Sequence, residues 1–389
     1  MKVVERAAML RSFRVANHKS IYAEQELSLL PAYDKSRPTV PVAAVFGANA
    51  SGKSNLIDAL SWLQRAVDQS YAAWKPDTGV PRYPFRLAPA ASEEPSVFIV
   101  EFMGADIRYV YGLVADDKKI REEWLYSYPR NRKRVVFERE GSSWIFGTHV
   151  PRGEVDVLTR LTRDNTLFLS VAGQSNFPET AQAYGWLQRS LLFGSGFGRR
   201  GDLRIIDFLE GGSGPTQRLV ALTRQADLGI VDVRVSAAPS ADKESVFYRP
   251  ELEFVHGDSG VVMRTWEQSK GTLEWLSLLV SALTALERGA VLCVDEIDSS
   301  LHSRLTPRLI ELFRHDETNP LGAQLIFTTH DATLLGTSFG EDILARDEIW
   351  FVQKDSAGGT SLFSLAEFHP RKDENTERRY LGGSYGAVP

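Results

Sequence analysis

Polar and apolar positions alternate in two short runs near the start of the chain, residues 9–15 and 27–29. A period of two predicts half-buried strands, here joined through Asn17-His18-Lys19-Ser20 as a hairpin. Residues 42–46 are continuously apolar, which suits a buried parallel strand; a Gly-rich loop follows, then a helical pattern from Lys53 to about Val67. The period of two returns at residues 97–102, 108–113, 122–126 and 134–138, predicting an antiparallel sheet. From about Glu154 to Gln225 the spacing turns helical, around residues 182–192 and 203–209, with breaks at Gly194-Ser195-Gly196 and Gly211-Gly212-Ser213-Gly214. Strand-like runs at 230–235 and 251–255 lead into a helix over 272–288, a strand over 290–294, a helix over 300–315, and strands over 324–328 and 348–352. Strands and helices in alternation predict an α/β fold with a helix-covered sheet. The expected divisions are an N-terminal lobe over 1–150, a helical insertion over 151–228, a C-terminal lobe over 229–368 and a tail over 369–389, charged and then Gly-rich, read as a flexible end.

Composition narrows the class. With 389 residues, 43% hydrophobic and 24% charged, the chain can bury one large core or two moderate ones. No apolar run reaches the roughly eighteen residues of a membrane span, and the start has no signal-peptide pattern, so the expectation is a cytoplasmic protein with no membrane partner. The single cysteine, Cys293, sits in an apolar run and reads as a buried strand thiol. A net charge of -5 argues against a nucleic-acid-coating surface while leaving room for a local basic groove. The basic run from Arg130 to Arg134 has no aromatic interleaving along the sequence and reads as a solvated hairpin tip. Repeats and sustained heptads are missing.

The chemistry-bearing residues lie where that pattern turns. Gly47-Ala48-Asn49-Ala50-Ser51-Gly52-Lys53-Ser54 matches GxxxxGK[ST], between an expected strand and helix as a phosphate loop requires. Its glycines let consecutive N–H groups converge on a phosphate, and the helix presents its positive end. Lys53 would bridge β- and γ-phosphates, and Ser54 would offer a hydroxyl to Mg²⁺. Asp295 and Glu296 close an apolar strand, which suits Asp295 to magnesium and Glu296 to activating the attacking water. His330 exits the next strand, where it can reach a γ-phosphate; of the other six histidines, all but His302 read as surface or satisfied core residues. In Gln268-Ser269-Lys270-Gly271-Thr272, Ser269 and Gly271 could face an anion, although the segment alone is an ordinary N-cap.

In this order, these elements resemble the ABC-type ATPase heads of the SMC and RecF kind, over nearly the whole chain. More narrowly, Asn17-His18-Lys19-Ser20, the loop from Phe46 to Leu56, Ser269-Lys270-Gly271-Thr272 and Asp295-Glu296-Ile297-Asp298-Ser299-Ser300-Leu301-His302 resemble the AAA-labelled, OLD-like ATPases of bacterial phage-defence loci. The tail, Arg378 to Pro389, resembles members encoded beside an RloB-like protein. The resemblance implies a P-loop NTPase of ABC-ATPase head type, with a mixed sheet covered by helices, an antiparallel β subdomain and a helical insertion. It implies two heads that sandwich ATP and Mg²⁺, with Ser269 and Gly271 reaching the γ-phosphate bound by the other copy. Ser299, Ser300, Leu301 and His302 would run along that interface. Asn17, Lys19 and Ser20 would lie near base and phosphates, beside the loop and Asn55.

Two features depart from the pattern. No Q-loop glutamine is found around Tyr83-Pro84-Phe85-Arg86-Leu87, and residues 97–225 carry no coiled-coil arm. About sixty residues follow His330, too few for a Toprim nuclease module, so nuclease activity would come from a partner. The leading expectation is an ATP-driven homodimeric switch for an effector, RloB-like by the resemblance of the tail, in anti-phage defence. The alternatives are a RecF-like DNA clamp for repair or maintenance, and a scaffold that binds ATP with negligible turnover; DNA or RNA is a possible partner.

Overall fold

The computed structural model describes residues 9–194, 199–226, 229–239, 248–257, 260–299, 305–338, 341–369 and 375–386. Two large sheets organise these residues. The core sheet has six strands in the spatial order Thr360–Ser364, Ile349–Lys354, Val42–Phe46, Gln324–Thr329, Val291–Val294, Leu191–Gly194. All neighbours in it run parallel except the Ile349–Lys354 and Thr360–Ser364 pair. Its central strands, Val42–Phe46, Val291–Val294 and Gln324–Thr329, are buried at every position, which is why they read as continuous apolar runs. Helices Lys270–Arg288 and Leu305–Arg314 put Leu276, Leu279, Leu283, Leu309 and Phe313 into one core with Val42, Leu292 and Phe327.

The second sheet is antiparallel and seven-stranded, ordered Gln25–Ser28, Leu10–Ala16, Ser96–Gly104, Ile107–Ala115, Ile120–Tyr128, Arg134–Glu140, Ser143–Phe146. Its inner face carries Phe13, Phe98, Phe102, Tyr111, Leu125 and Phe137 onto the helix Lys53–Gln69 and the helices Phe168–Gln174 and Pro178–Arg189. Glu123 is buried on that face; its carboxylate accepts Phe168 N (2.6 Å), Leu169 N (2.9 Å) and the Tyr111 hydroxyl (3.0 Å), so the charge is hydrogen-bonded as burial demands. A three-stranded antiparallel sheet, Ile230–Pro239, Tyr248–His256 and Val261–Arg264, leads into the Lys270–Arg288 helix.

Two expectations need correction. Residues 191 and 192, read as the end of a helix, belong instead to the edge strand Leu191–Gly194, because their backbone pairs with Val291–Val294; a strand of the core sheet thus comes from within the expected helical insertion. The tail is not a loose end over residues 375–386. Its helix Thr376–Leu381 buries Tyr380, and Tyr385 follows, both stacked on Phe351 at ring-centroid distances of 5.3 and 5.2 Å. Tyr380 also meets Phe46, the residue before the P-loop, at 6.0 Å. The basic run at 130–134 is exposed at the turn between the strands Ile120–Tyr128 and Arg134–Glu140, as a solvated hairpin tip should be, and Lys133 Nζ lies 3.5 Å from the Tyr126 ring centroid. No described helix is long and apolar enough to cross a membrane.

Candidate nucleotide-binding site

The loop Gly47 to Gly52 leaves the carboxyl end of the central strand Val42–Phe46 and enters the helix Lys53–Gln69. Gly52, at φ +105°, has a conformation that side chains rarely adopt, and a Cβ there would lie 2.2 Å from Thr360 Oγ1 and 2.6 Å from Ser20 Oγ. Ala50 also has positive φ, at +62°. Asn49 and Ala50 are exposed at the tip, Gly47 is buried, and Ser54 is half-buried at the start of the helix. The loop is held from beneath by a hydroxyl chain: Asn55 Nδ2 donates to Ser20 Oγ (2.6 Å), Ser20 Oγ bonds Thr360 Oγ1 (2.6 Å), and Thr360 Oγ1 donates to Ser51 O (2.9 Å). Ser51 Oγ is buried without a hydrogen-bond partner, a free polar atom inside the loop.

Lys53 is 6% exposed, and its ammonium donates to the carbonyls of Gly47 (2.7 Å) and Ala48 (2.9 Å). Burial pushes its pKa down, while the carboxylates of Glu296, Asp298 and Asp295 pull it back. The loop lysine and the strand-end acids, over two hundred residues apart in sequence, therefore share one electrostatic environment.

Thr328 organises those acids. Its hydroxyl donates to Asp295 Oδ1 (2.6 Å) and accepts from Glu296 N (2.7 Å), while its carbonyl accepts from Ile297 N (3.0 Å). Glu296 stands at φ +48°, a left-handed conformation unusual for a non-glycine residue, and its side chain is exposed. His330 comes to the same edge, with Nδ1 2.7 Å from Asp298 Oδ2 and its side chain 56% exposed. Asp298 also accepts from His330 N at 3.4 Å.

The hairpin residues divide in role. Lys19 Nζ lies 2.8 Å from Asp58 Oδ2 on the P-loop helix, an oxygen also bound by His18 Nε2 at 2.8 Å. Burial favours protonation of Asp58, but the bonds from His18 and Lys19 outweigh it and hold its pKa at about 2. Asn17 is placed differently from the sequence expectation. Its amide donates to Ala91 O (2.7 Å) and Glu94 O (2.8 Å), and its carbonyl accepts Phe85 N (2.8 Å), so at 2% exposure it holds the 85–95 segment and has no atom to spare for a nucleotide.

Ser269 caps the helix Lys270–Arg288, its hydroxyl accepting Thr272 N at 3.1 Å, and Ser269, Lys270 and Gly271 are exposed. Among the described residues no hydrogen bond or ion pair joins Ser269 or Gly271 to the P-loop of the same chain. Ser299 N donates to Glu296 O (2.9 Å), while Ser300, Leu301 and His302 lie outside the described residues. Sequence reasoning missed Thr328, Asp298, Thr360 and Asp58. Asp298 stood within a motif already singled out and Thr328 two residues before His330; Thr360, on an edge strand, gave no signal.

The residues fit a nucleotide and a magnesium ion. Gly47 and Gly52 keep a cradle that side chains would fill, Ser51 Oγ awaits a partner, Lys53 supplies a desolvated charge, and Ser54 and Asp295 are the hard oxygen donors that magnesium prefers.

No curated protein matches the chain in sequence. Three solved structures overlap it at 14% identity: an SMC head domain from Thermotoga maritima (TM-score 0.43, over 91% of this chain and 98% of that one), an SmcHead bound to the C-winged helix domain of ScpA (0.44, 92% and 99%), and an Smc head domain with an extended coiled coil bound to the C-terminal domain of ScpA from Pyrococcus furiosus (0.45, 93% and 98%). A family model described as "AAA domain, putative AbiEii toxin, Type IV TA system" matches residues 42–336, from the P-loop strand past His330. The chain belongs to this family of AAA domains.

Proposed function

We propose that the chain binds ATP with magnesium, hydrolyses it, and uses the cycle as a switch that closes and reopens a homodimer. The observation that carries this reading is the parallel register of Val42–Phe46, Gln324–Thr329 and Val291–Val294, which brings the P-loop with Lys53, His330, and Asp295 with Glu296 to one end of the core sheet. Lys53 would exchange the Gly47 and Ala48 carbonyls for phosphate oxygens. Ser54 and Asp295 would hold the magnesium ion, which supplies charge neutralisation when bound. Glu296 would take the proton of the attacking water, and His330, oriented by Asp298, would face the terminal phosphate. Ser269 and Gly271, exposed and unconnected to their own P-loop, would complete the site bound by a second copy.

The partner of such a switch would be an effector protein held or released by the insertion or the tail, RloB-like by the resemblance of the tail residues. The family's description as a putative toxin of a Type IV toxin–antitoxin system supports a defence or toxin setting over DNA maintenance. Glu296→Gln tests the chemistry. ATP binding should persist by calorimetry while turnover falls roughly 10²- to 10⁴-fold, the range for losing a general base. Turnover within a few fold of the native rate would remove Glu296 from the reaction.

A further inference from the structure

The outward face of the seven-stranded sheet carries a short apolar stretch between charged ends. Register places Ile99, Gly112, Trp124, Glu138 and Ile145 in one row across it. Ile99 and Trp124 are half-buried, and Ile145 is 59% exposed. The Trp124 ring covers Gly112, where a Cβ would sit 2.2 Å from the ring. Val110 and Val114 flank the row on the same face.

Charge is sorted along the strands of this face. At one end lie Arg108, 3.7 Å from the Tyr128 ring centroid, and the exposed Arg130 and Arg132. There Arg11, Arg108, Tyr128 and Arg130, with one carboxylate, Asp106, line a cleft of about 440 Å³. At the other end Glu122 stands directly opposite Glu140, an arrangement that like charges disfavour. Among the described residues neither glutamate has an ion-pair partner, and neither do Arg130 and Arg132. Glu101, by contrast, is taken up by Arg11 (2.7 Å) and Arg108 (3.4 Å).

A nucleic acid laid along this face would meet Glu101, Glu122, Glu138 and Glu140, which repel phosphate. The face fits a partner that is apolar in the centre with opposite charges at its two ends, and this description is met by the face itself. The six residue steps from Glu122 to Tyr128 span about 20 Å, so a two-fold axis over the middle of that strand would set Arg130 and Arg132 of one copy against Glu122 and Glu140 of the other. We infer that the outer sheet face docks a second copy of this chain, face to face and independently of nucleotide.

The test is sedimentation velocity of the full chain carrying Lys53→Ala, without nucleotide, so that ATP-dependent dimerisation plays no part. This protein should dimerise as its concentration rises. Adding Glu122→Arg and Glu140→Arg should weaken the dimer roughly tenfold or more, and adding Arg130→Glu and Arg132→Glu to those should restore it to within about threefold, since complementary charges set pairing. Circular dichroism confirms that each variant folds. A monomer up to roughly 100 µM overturns the inference, as does a dimer indifferent to the glutamate changes or one that the compensating pair fails to restore. A labelled oligonucleotide bound by the Lys53→Ala protein and lost with Arg130→Glu and Arg132→Glu would overturn it too, assigning the face to nucleic acid.

Discussion

Glu348 shows how a single buried carboxyl shapes stability. It is 2% exposed; Arg314 Nε lies 3.5 Å from its Oε2, and the same oxygen accepts Ala345 N at 2.6 Å. Burial raises its pKa to about 7, against the opposing pull of Arg314, from an ordinary 4.5. The folded chain therefore holds this proton more tightly than the unfolded chain does. The resulting stabilisation is complete below pH 4.5 and is lost as pH rises through about 7, amounting to about 3 kcal/mol by pH 8. Urea unfolding between pH 5 and 8 should show that decline in the native protein and a flatter profile in Glu348→Gln. Equal slopes would mean that Glu348 titrates normally. Legibility at this scale followed sequence distance. Gly47 to Ser54 and the pair Asp295-Glu296 could be read because each motif is contiguous, and backbone geometry alone gathers its atoms. Asn17 misled because its motif is equally local, while its hydrogen-bond partners lie 68 to 78 residues away. The Ser20–Thr360 bond, spanning 340 residues, could come only from the fold.

Among the elements, the tail helix departs furthest from its sequence reading. A charged, Gly-rich stretch looks solvated, yet two tyrosines spaced by five residues stack on one phenylalanine of the core sheet. Composition averages over the stretch and so hides the pair that matters. Tyr380→Ala should cost roughly 3 kcal/mol, as for other buried aromatic truncations. Tyr380→Phe should be neutral or mildly stabilising, because the Tyr380 hydroxyl is buried without a partner. Urea midpoints would check both, and an unchanged midpoint for Tyr380→Ala would mean that the tail is undocked. The strand Leu191–Gly194 teaches the same lesson in reverse. Its residues continue a helical spacing, and pairing with Val291–Val294 overrides that local preference. The central strands and the P-loop helix were legible because burial on both faces, or on one helical stripe, writes an unmixed pattern.

Across the whole molecule, a core sheet carries the phosphate loop and the acids at one edge, and an antiparallel sheet packs over the P-loop helix. On the proposed reading, such a frame would give each copy most of a hydrolytic site, with Ser269 and Gly271 exposed to meet a second copy. A site completed by a second copy is the central claim, and mixing two inactive variants tests it most directly. Lys53→Ala removes the loop lysine but keeps the Ser269 helix, whereas Ser269→Arg blocks the helix end but keeps the loop. If the site is shared, half of the dimers in an equimolar mixture are mixed and each has one intact site, so ATPase activity should return to about a quarter of the native rate. Activity in the mixture no greater than the average of the two variants alone would contradict the shared site.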